Sequence, residues 1–396
     1  MRFDLREARW LGTKRVQGYA RVLAIIFAPT LIWFYLQAMG PTGSDFLVFW
    51  SSAKLALSGV PAAAYDAAAQ AQIQAQFIRT SGFGLLNPPP FLLLLLPFGL
   101  MPYSWAWPVW VGATYCIWLL VARRLIPNAT WPIAVFPGAM MAAWHGQNGL
   151  VTAALFIGAM LSFRSARPIL AGMLLGALII KPHLAMLVPV ALIAGREWKA
   201  FVAAGLSAAA LVLLSWMAFG AAAFEGFFQN AGYATYIFKP SHDASGVDFY
   251  LRMPTLYAGL RPITGASIAI AAQLLVAMAM AILVFRAWSR CGDVLGKGAI
   301  LTVATCLSVP YLFHYDLVFL ILPICWLARE GMRSGFLPWE KIMIAIFYWS
   351  PFLARAVAPT LSFNPMPVVL VAFLWAILRR VGPGVTGPFQ RSDRFC

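Results

Sequence analysis

The run YARVLAIIFAPTLIWFYLQAM (Tyr19–Met39), followed at once by GPTGSDF (Gly40–Phe46), decides how this chain is read. The first part is apolar over the roughly 20 residues that a helix needs to cross a bilayer. The second is a glycine- and proline-rich turn that ends in a carboxylate. Asp45 is the first acid after Glu7, and the aromatic side chains of Phe46, Phe49 and Trp50 follow it. A carboxylate there suits the N-cap of a helix over Phe46–Ser58. It also stands where a membrane helix emerges, and there an ionisable group tends to be functional.

Working outward, the same pattern recurs along the chain. Of its 396 residues 62% are hydrophobic and only 11% charged, less than half the charge of an ordinary soluble domain, which is about 25%. The sequence therefore reads as one all-α polytopic membrane domain spanning 1–396. The basic start (Arg2, Arg6, Arg9, Lys14, Arg15) leads into the first span with no small-residue cleavage site after it, so that span is expected to stay as an anchor. Cys116, Cys291, Cys306, Cys325 and Cys396 show neither CxxC nor metal-ligand spacing and read as small apolar residues.

The first span, 19–39, is followed by a large loop over 40–104. It is expected to hold interfacial helices at Phe46–Ser58 and Ala67–Thr80, broken by Ser58-Gly59-Val60-Pro61. After Asn87-Pro88-Pro89-Pro90 comes Phe91–Leu100, a short apolar run that carries Pro97. Spans two to seven lie within 105–219. They include two close pairs, Trp131–Trp144 with Asn148–Phe163, and Pro168–Ile180 with His183–Ala194. A second large loop covers 220–265. Spans eight to twelve fill 266–378, and a basic tail covers 379–396. This makes about 12 crossings if Phe91–Leu100 dips in and returns.

Charge supports that choice. With both termini inside and Phe91–Leu100 not crossing, 22 of the 29 Lys and Arg residues fall on the inner side, as the positive-inside rule expects. The net charge of +16 therefore reads as a basic membrane face and not as a nucleic-acid footprint. The expected location is the cell inner (plasma) membrane with cytoplasmic termini. His145, His183, His242 and His314 then all lie on the opposite, outer side, together with Asp45, Lys181 and Asp316.

These outer residues are the candidates for chemistry. Asp45 can take the proton of a hydroxyl as that hydroxyl attacks an activated carbon; Lys54, nine residues on, is the nearest cation in sequence. His145-Gly146-Gln147-Asn148 is a dense polar turn between two short spans, suited to a hydroxyl-rich ligand such as a sugar. Lys181-Pro182-His183 interrupts an apolar stretch, where a lone lysine calls for an anion and a phosphate would serve. Tyr311, His314 and Asp316 crowd the turn Ser308–Asp316. The second loop adds Tyr233, Tyr236, Lys239, His242, Asp243, Asp248, Tyr250 and Arg252. No GxxxxGK[ST] loop, zinc spacing, GxSxG elbow or DxD-like acid pair occurs, so neither a cofactor nor a metal is expected.

Taken in order, these motifs resemble glycosyltransferase family 87. Ser44-Asp45-Phe46 with Phe49-Trp50-Ser51-Ser52-Ala53, Ser58-Gly59 and Ala64-Tyr65-Asp66 is similar to its first loop. Asn87-Pro88-Pro89-Pro90-Phe91, Gly146-Gln147-Asn148, Lys181-Pro182-His183 and Pro310-Tyr311 through His314-Tyr315-Asp316 resemble its later motifs. The family is similar to the alpha-mannosyltransferases that extend mycobacterial phosphatidylinositol mannosides. The resemblance implies a GT-C membrane fold and an inverting hexosyltransferase. Its donor would be a polyprenyl-phosphate-linked sugar, mannose foremost, and its acceptor a lipid or glycan on the extracytoplasmic side. It implies Asp45 as catalytic base, and Lys181, His314 and Arg252 at the donor phosphate. His145, Gln147, Asn148, Tyr311 and Asp316 are then the expected sugar or acceptor contacts. The rival reading is a transporter or lipid flippase with a midplane polar site, since transporters also use broken helices. The large loops after spans one and seven have no counterparts at repeat spacing, which weighs against it.

Overall fold

The computed structural model describes residues 5–78, 84–237, 249–290 and 292–381. Within them the chain is helical throughout, with no strand. Five helices are long and apolar enough to cross a membrane: α1 (Thr13–Met39), α5 (Tyr103–Ala122), α11 (Trp198–Ile237), α13 (Ala266–Ser289) and α16 (Glu340–Leu361). The chain is thus an all-α membrane protein.

The remaining expected spans resolve as shorter pieces, so the count of about 12 crossings is not reproduced. Pro137 splits Trp131–Trp144 into α6 (Thr130–Ala134) and α7 (Pro137–His145), because proline starts a helix readily but cannot continue one. Lys181-Pro182 likewise separates α9 (Pro168–Gly176) and its short 3₁₀ extension from α10 (Val188–Ala194). The expected second loop is helical for its first part. At Gly220 (φ 72°, ψ 176°) α11 bends, and the helix then resumes through Ile237. Lys239, His242, Asp243 and Asp248 lie outside the described residues, as does most of the tail beyond Val381.

Four helices show how the bundle is laid out: α14 (Val294–Ser308), α15 (Ile321–Ser334), α16 and α17 (Met366–Val381). At one end their termini share ion pairs. Asp293 accepts from Trp326 Nε1 at 2.7 Å and pairs with Arg329 at 3.5 Å. Arg333 Nη2 meets Glu330 at 2.8 Å, and Arg380 Nε meets Glu340 at 2.6 Å. At the other end the partners are His314, Pro351 and Asn364. The helices therefore alternate in direction, with Arg329, Arg333 and Arg380 at one end and the candidate site at the other.

The first loop packs beside this bundle. In α2 (Phe46–Leu57), Ser51 and Ser52 are buried against Gln70 and Gln74 of α3 (Ala67–Gln74). A Cβ on Gly99 would fall 2.8 Å from that of Ala53, so α4 (Pro89–Gly99) lies flush along α2. Asn87 before α4 is tied to Tyr65, and Met101 after it accepts from Trp50 Nε1 at 2.9 Å. Both ends of α4 are thus held by first-loop elements. Gly172, one turn before Gly176, sets α9 backbone to backbone against α11, and this places the segment that carries Lys181.

Candidate active site

Asp45 occupies the N-cap position of α2, but it does not cap. Its backbone is already helical (φ −59°, ψ −25°) and its side chain accepts no bond from the helix start. Instead Oδ2 accepts from Gln147 Nε2 at 2.9 Å, across 102 residues of sequence. The capping reading is therefore set aside. Pairing with Lys54 fails as well: nine residues of helix carry Lys54 about 13 Å along the axis, where its ammonium lies over the Trp50 ring at 5.4 Å.

Gln147 reaches Asp45 because of the turn that precedes it. Gly146 is left-handed (φ 62°), and a Cβ there would sit 2.6 Å from that of Phe46. Only glycine combines this conformation with such close approach. Trp110 Nε1 anchors the Gly146 carbonyl at 2.8 Å. On the far side of the turn, a Cβ on Gly149 would lie 2.2 Å from the Tyr315 carbonyl oxygen. The turn is wedged between the start of α2 and the 3₁₀ segment His314–Leu320. Gln147 points to the first, and Asn148 points to Lys181.

Lys181 stands in the break after α9 with a non-helical backbone (φ −150°, ψ 71°). Asn87 Nδ2 secures the carbonyl of Ile180, the residue before it, at 3.1 Å. The Lys181 ammonium donates to Asp316 Oδ1 at 2.5 Å and to Asn148 Oδ1 at 3.0 Å, and lies 5.3 Å from the centre of the Tyr315 ring. Its burial therefore finds an internal anion, where the sequence suggested an external one. Asp316 also accepts the Phe313 amide at 3.2 Å. Asn148 and Asp316, expected to touch sugar or acceptor, are 0% and 1% exposed and stand behind Lys181. Both accept hydrogen bonds from that cation.

In front of this network lies a cavity of about 500 Å³. Asp45, His145, Gln147, Lys181, Tyr311 and Arg252 all line it, as the sequence expects of site residues. Phe49, Phe249, Phe313 and Tyr315 complete an aromatic wall. Burial, with Asp316 and Asp45 nearby, pushes the Tyr311 phenol well above its ordinary range, so it remains a donor.

His314 also borders the cavity, but both ring nitrogens are taken. Asn364 uses its carbonyl oxygen on the Met366 amide, so its Nδ2 donates to His314 Nε2 at 2.8 Å. Nδ1–H then donates to the Pro351 carbonyl at 2.9 Å. A neutral ring so engaged ties together the elements behind the wall and has no donor left for phosphate. The cation that sequence reasoning missed is Arg355 of α16, which lines the cavity opposite the first-loop residues. Its signal was available as a lone arginine inside the apolar run Ile342–Val357. Among the described residues no three His, Cys, Asp or Glu side chains form a group able to hold a metal ion.

A family model for glycosyltransferase family 87 matches residues 85–310. The chain belongs to glycosyltransferase family 87. The match takes in Asn87, the His145–Asn148 turn, Lys181 and Arg252; Asp45, His314, Asp316 and Arg355 fall outside it and enter the site through the fold. Neither the curated proteins nor the solved structures contain a match. Family membership makes this a membrane glycosyltransferase, with sugar donor and acceptor as its substrates.

Proposed function

We propose that this family 87 member is an inverting hexosyltransferase. It moves a sugar, mannose foremost, from a polyprenyl-phosphate donor to a lipid or glycan hydroxyl. One observation carries the reading. Asp45, half-buried, has one carboxylate oxygen fixed by Gln147 and borders a cavity whose other walls hold Lys181, Arg252 and Arg355. A base and a group of cations on one cavity are the two poles of a displacement that expels a phosphate. The acceptor O–H gives its proton to Asp45 as its oxygen attacks the anomeric carbon. The carbon–oxygen bond to phosphate breaks, and its electron pair leaves on the phosphate oxygen. Fixed positive groups aimed at that developing charge supply transition-state stabilisation. His145, Gln147 and Tyr311 offer the hydrogen bonds that orient the sugar. In this reading His314 shapes the wall and Lys181 acts from its buried pair.

The helix directions support an extracytoplasmic site. Cations collect at the end of the bundle opposite the cavity, and basic ends face the cytoplasm. The tied ends of α4, which lies along α2, suit an interfacial segment of the first loop that does not cross. The test is transfer from radiolabelled polyprenyl-phosphate mannose or glucose to a membrane lipid extract by the purified protein. Asp45→Asn is expected to abolish a labelled product that the wild type forms, with thermal stability unchanged. Transfer by Asp45→Asn at the wild-type rate removes Asp45 as the base, and absence of transfer from any prenyl-phosphate donor removes the donor assignment.

A further inference from the structure

The end of the bundle away from the active-site cavity carries a second feature that the transferase reading does not use. A groove of about 390 Å³ runs between α1 on one side and α15 and α16 on the other, floored by the segment around Ile126–Ile133. Its walls are apolar: Val16, Ala20 and Leu23 of α1 face Ile324 and Ala328 of α15 and Ile344 of α16. The groove follows α1 from Gly12 to Leu23, about 16 Å at 1.5 Å per residue. That is the depth of one leaflet, since the hydrocarbon core of two leaflets is about 30 Å thick.

Alongside it on α1 the groove adjoins a polar cavity of about 550 Å³ that runs from Thr13 to Arg21, and the two share Thr13, Gln17 and Asn128. Lys14 and Arg21 line the polar cavity, and Lys341 lines the groove. Among the described residues no acid lines either space. Three other cations at this end, Arg329, Arg333 and Arg380, are neutralised by Asp293, Glu330 and Glu340. Lys14, Arg21 and Lys341 form no ion pair among the described residues. The Trp339 amide donates to the Arg6 carbonyl at 2.8 Å, which joins the start of α16 to the chain entering α1 and fixes the mouth. Exposed Trp131 stands at the rim, as aromatic residues do at a headgroup boundary.

We infer that this is a binding site for one anionic phospholipid of the leaflet at the basic end. One acyl chain lies along α1, and the headgroup phosphate sits among Lys14, Arg21 and Lys341. Basic pockets between helices recognise anionic headgroups in this way. The apolar groove alone would accept any lipid; three cations outside any ion pair among the described residues, with Lys341 over the Phe336 ring and its neighbour Glu340 engaged by Arg380, select the charge.

The test is native mass spectrometry of the full chain, released from detergent micelles doped with phosphatidylglycerol or phosphatidylcholine of identical acyl chains. The wild type is expected to retain phosphatidylglycerol at least about tenfold more than phosphatidylcholine. The surface variant Lys14→Gln/Arg21→Gln/Lys341→Gln should lose that preference, and Ala345→Trp, which fills the groove, should lose both adducts. Equal retention of the two lipids by the wild type overturns the inference without reference to any variant. So does an undiminished preference in the triple variant. The assay reads no sugar transfer, so its outcome is separate from that of the transferase reading.

Discussion

Removing the carboxylate of Asp316 puts the inner wall of the site to the test. In the wild type, Lys181 has a side chain only 9% exposed and Asp316 one 1% exposed, joined at 2.5 Å. Asp316→Ala leaves the ammonium with Asn148 as its remaining polar partner. Stranding one member of a buried pair lowers stability by about 3–5 kcal/mol. The Phe313 amide, which also loses its acceptor, adds about 1 kcal/mol. The double variant Lys181→Met/Asp316→Leu removes both charges and refills the space, and a replacement of that kind is near neutral or stabilising. Thermal unfolding in detergent should therefore show a large fall for Asp316→Ala and near-complete recovery in the double variant. Transfer assays on the recovered protein then separate architecture from chemistry: if Lys181 helps the phosphate leave, the double variant is folded but slow. An Asp316→Ala protein as stable as the wild type would refute the reasoning, because it would mean that Lys181 is not confined as the geometry indicates.

Three further outcomes follow from the same geometry. Gly146→Ala places a Cβ against Phe46 in a left-handed backbone, a destabilisation of about 2–4 kcal/mol; transfer should fall further than stability explains as Gln147 withdraws from Asp45, measured as kcat at a temperature where the variant remains folded. Arg252→Gln and Arg355→Gln should each weaken use of the phosphate-bearing donor, seen as a lower kcat/KM for the donor with acceptor KM little changed. His314→Phe removes the bonds to Pro351 and Asn364, so the expected loss is in the unfolding midpoint, with donor KM close to that of the wild type.

Much of the site was legible before any fold was known, because intramembrane polar residues are few and each one stands out. Asp45, His145, Gln147, Lys181 and Tyr311 were conspicuous against an apolar background, and all five meet at one cavity. Their division of labour was not legible. Nothing local separates Gln147, which faces the cavity, from Asn148, which faces away; the left-handed turn at Gly146 decides that. Asp316 looked like a ligand contact because its lysine partner lies 135 residues away in sequence. Hydropathy measures an apolar run but not the direction in which a chain leaves Pro137 or Gly220, so the break inside Trp131–Trp144 and the helical continuation of α11 into the expected second loop do not show in it. Arg355 is legible only as a lone arginine in the apolar run Ile342–Val357.

Two neighbouring residues, Gln147 and Asn148, hold opposite poles of the cavity, the carboxylate of Asp45 and the ammonium of Lys181. The span from base to cation is therefore set by one dipeptide clamped between two glycines, and it acts as a fixed gauge. Any shift of that turn moves both poles together. A relative adapted to a bulkier sugar would keep the gauge and recut the aromatic wall, so differences in substrate should be sought at Phe49, Phe249, Tyr311 and Phe313 before the charged residues.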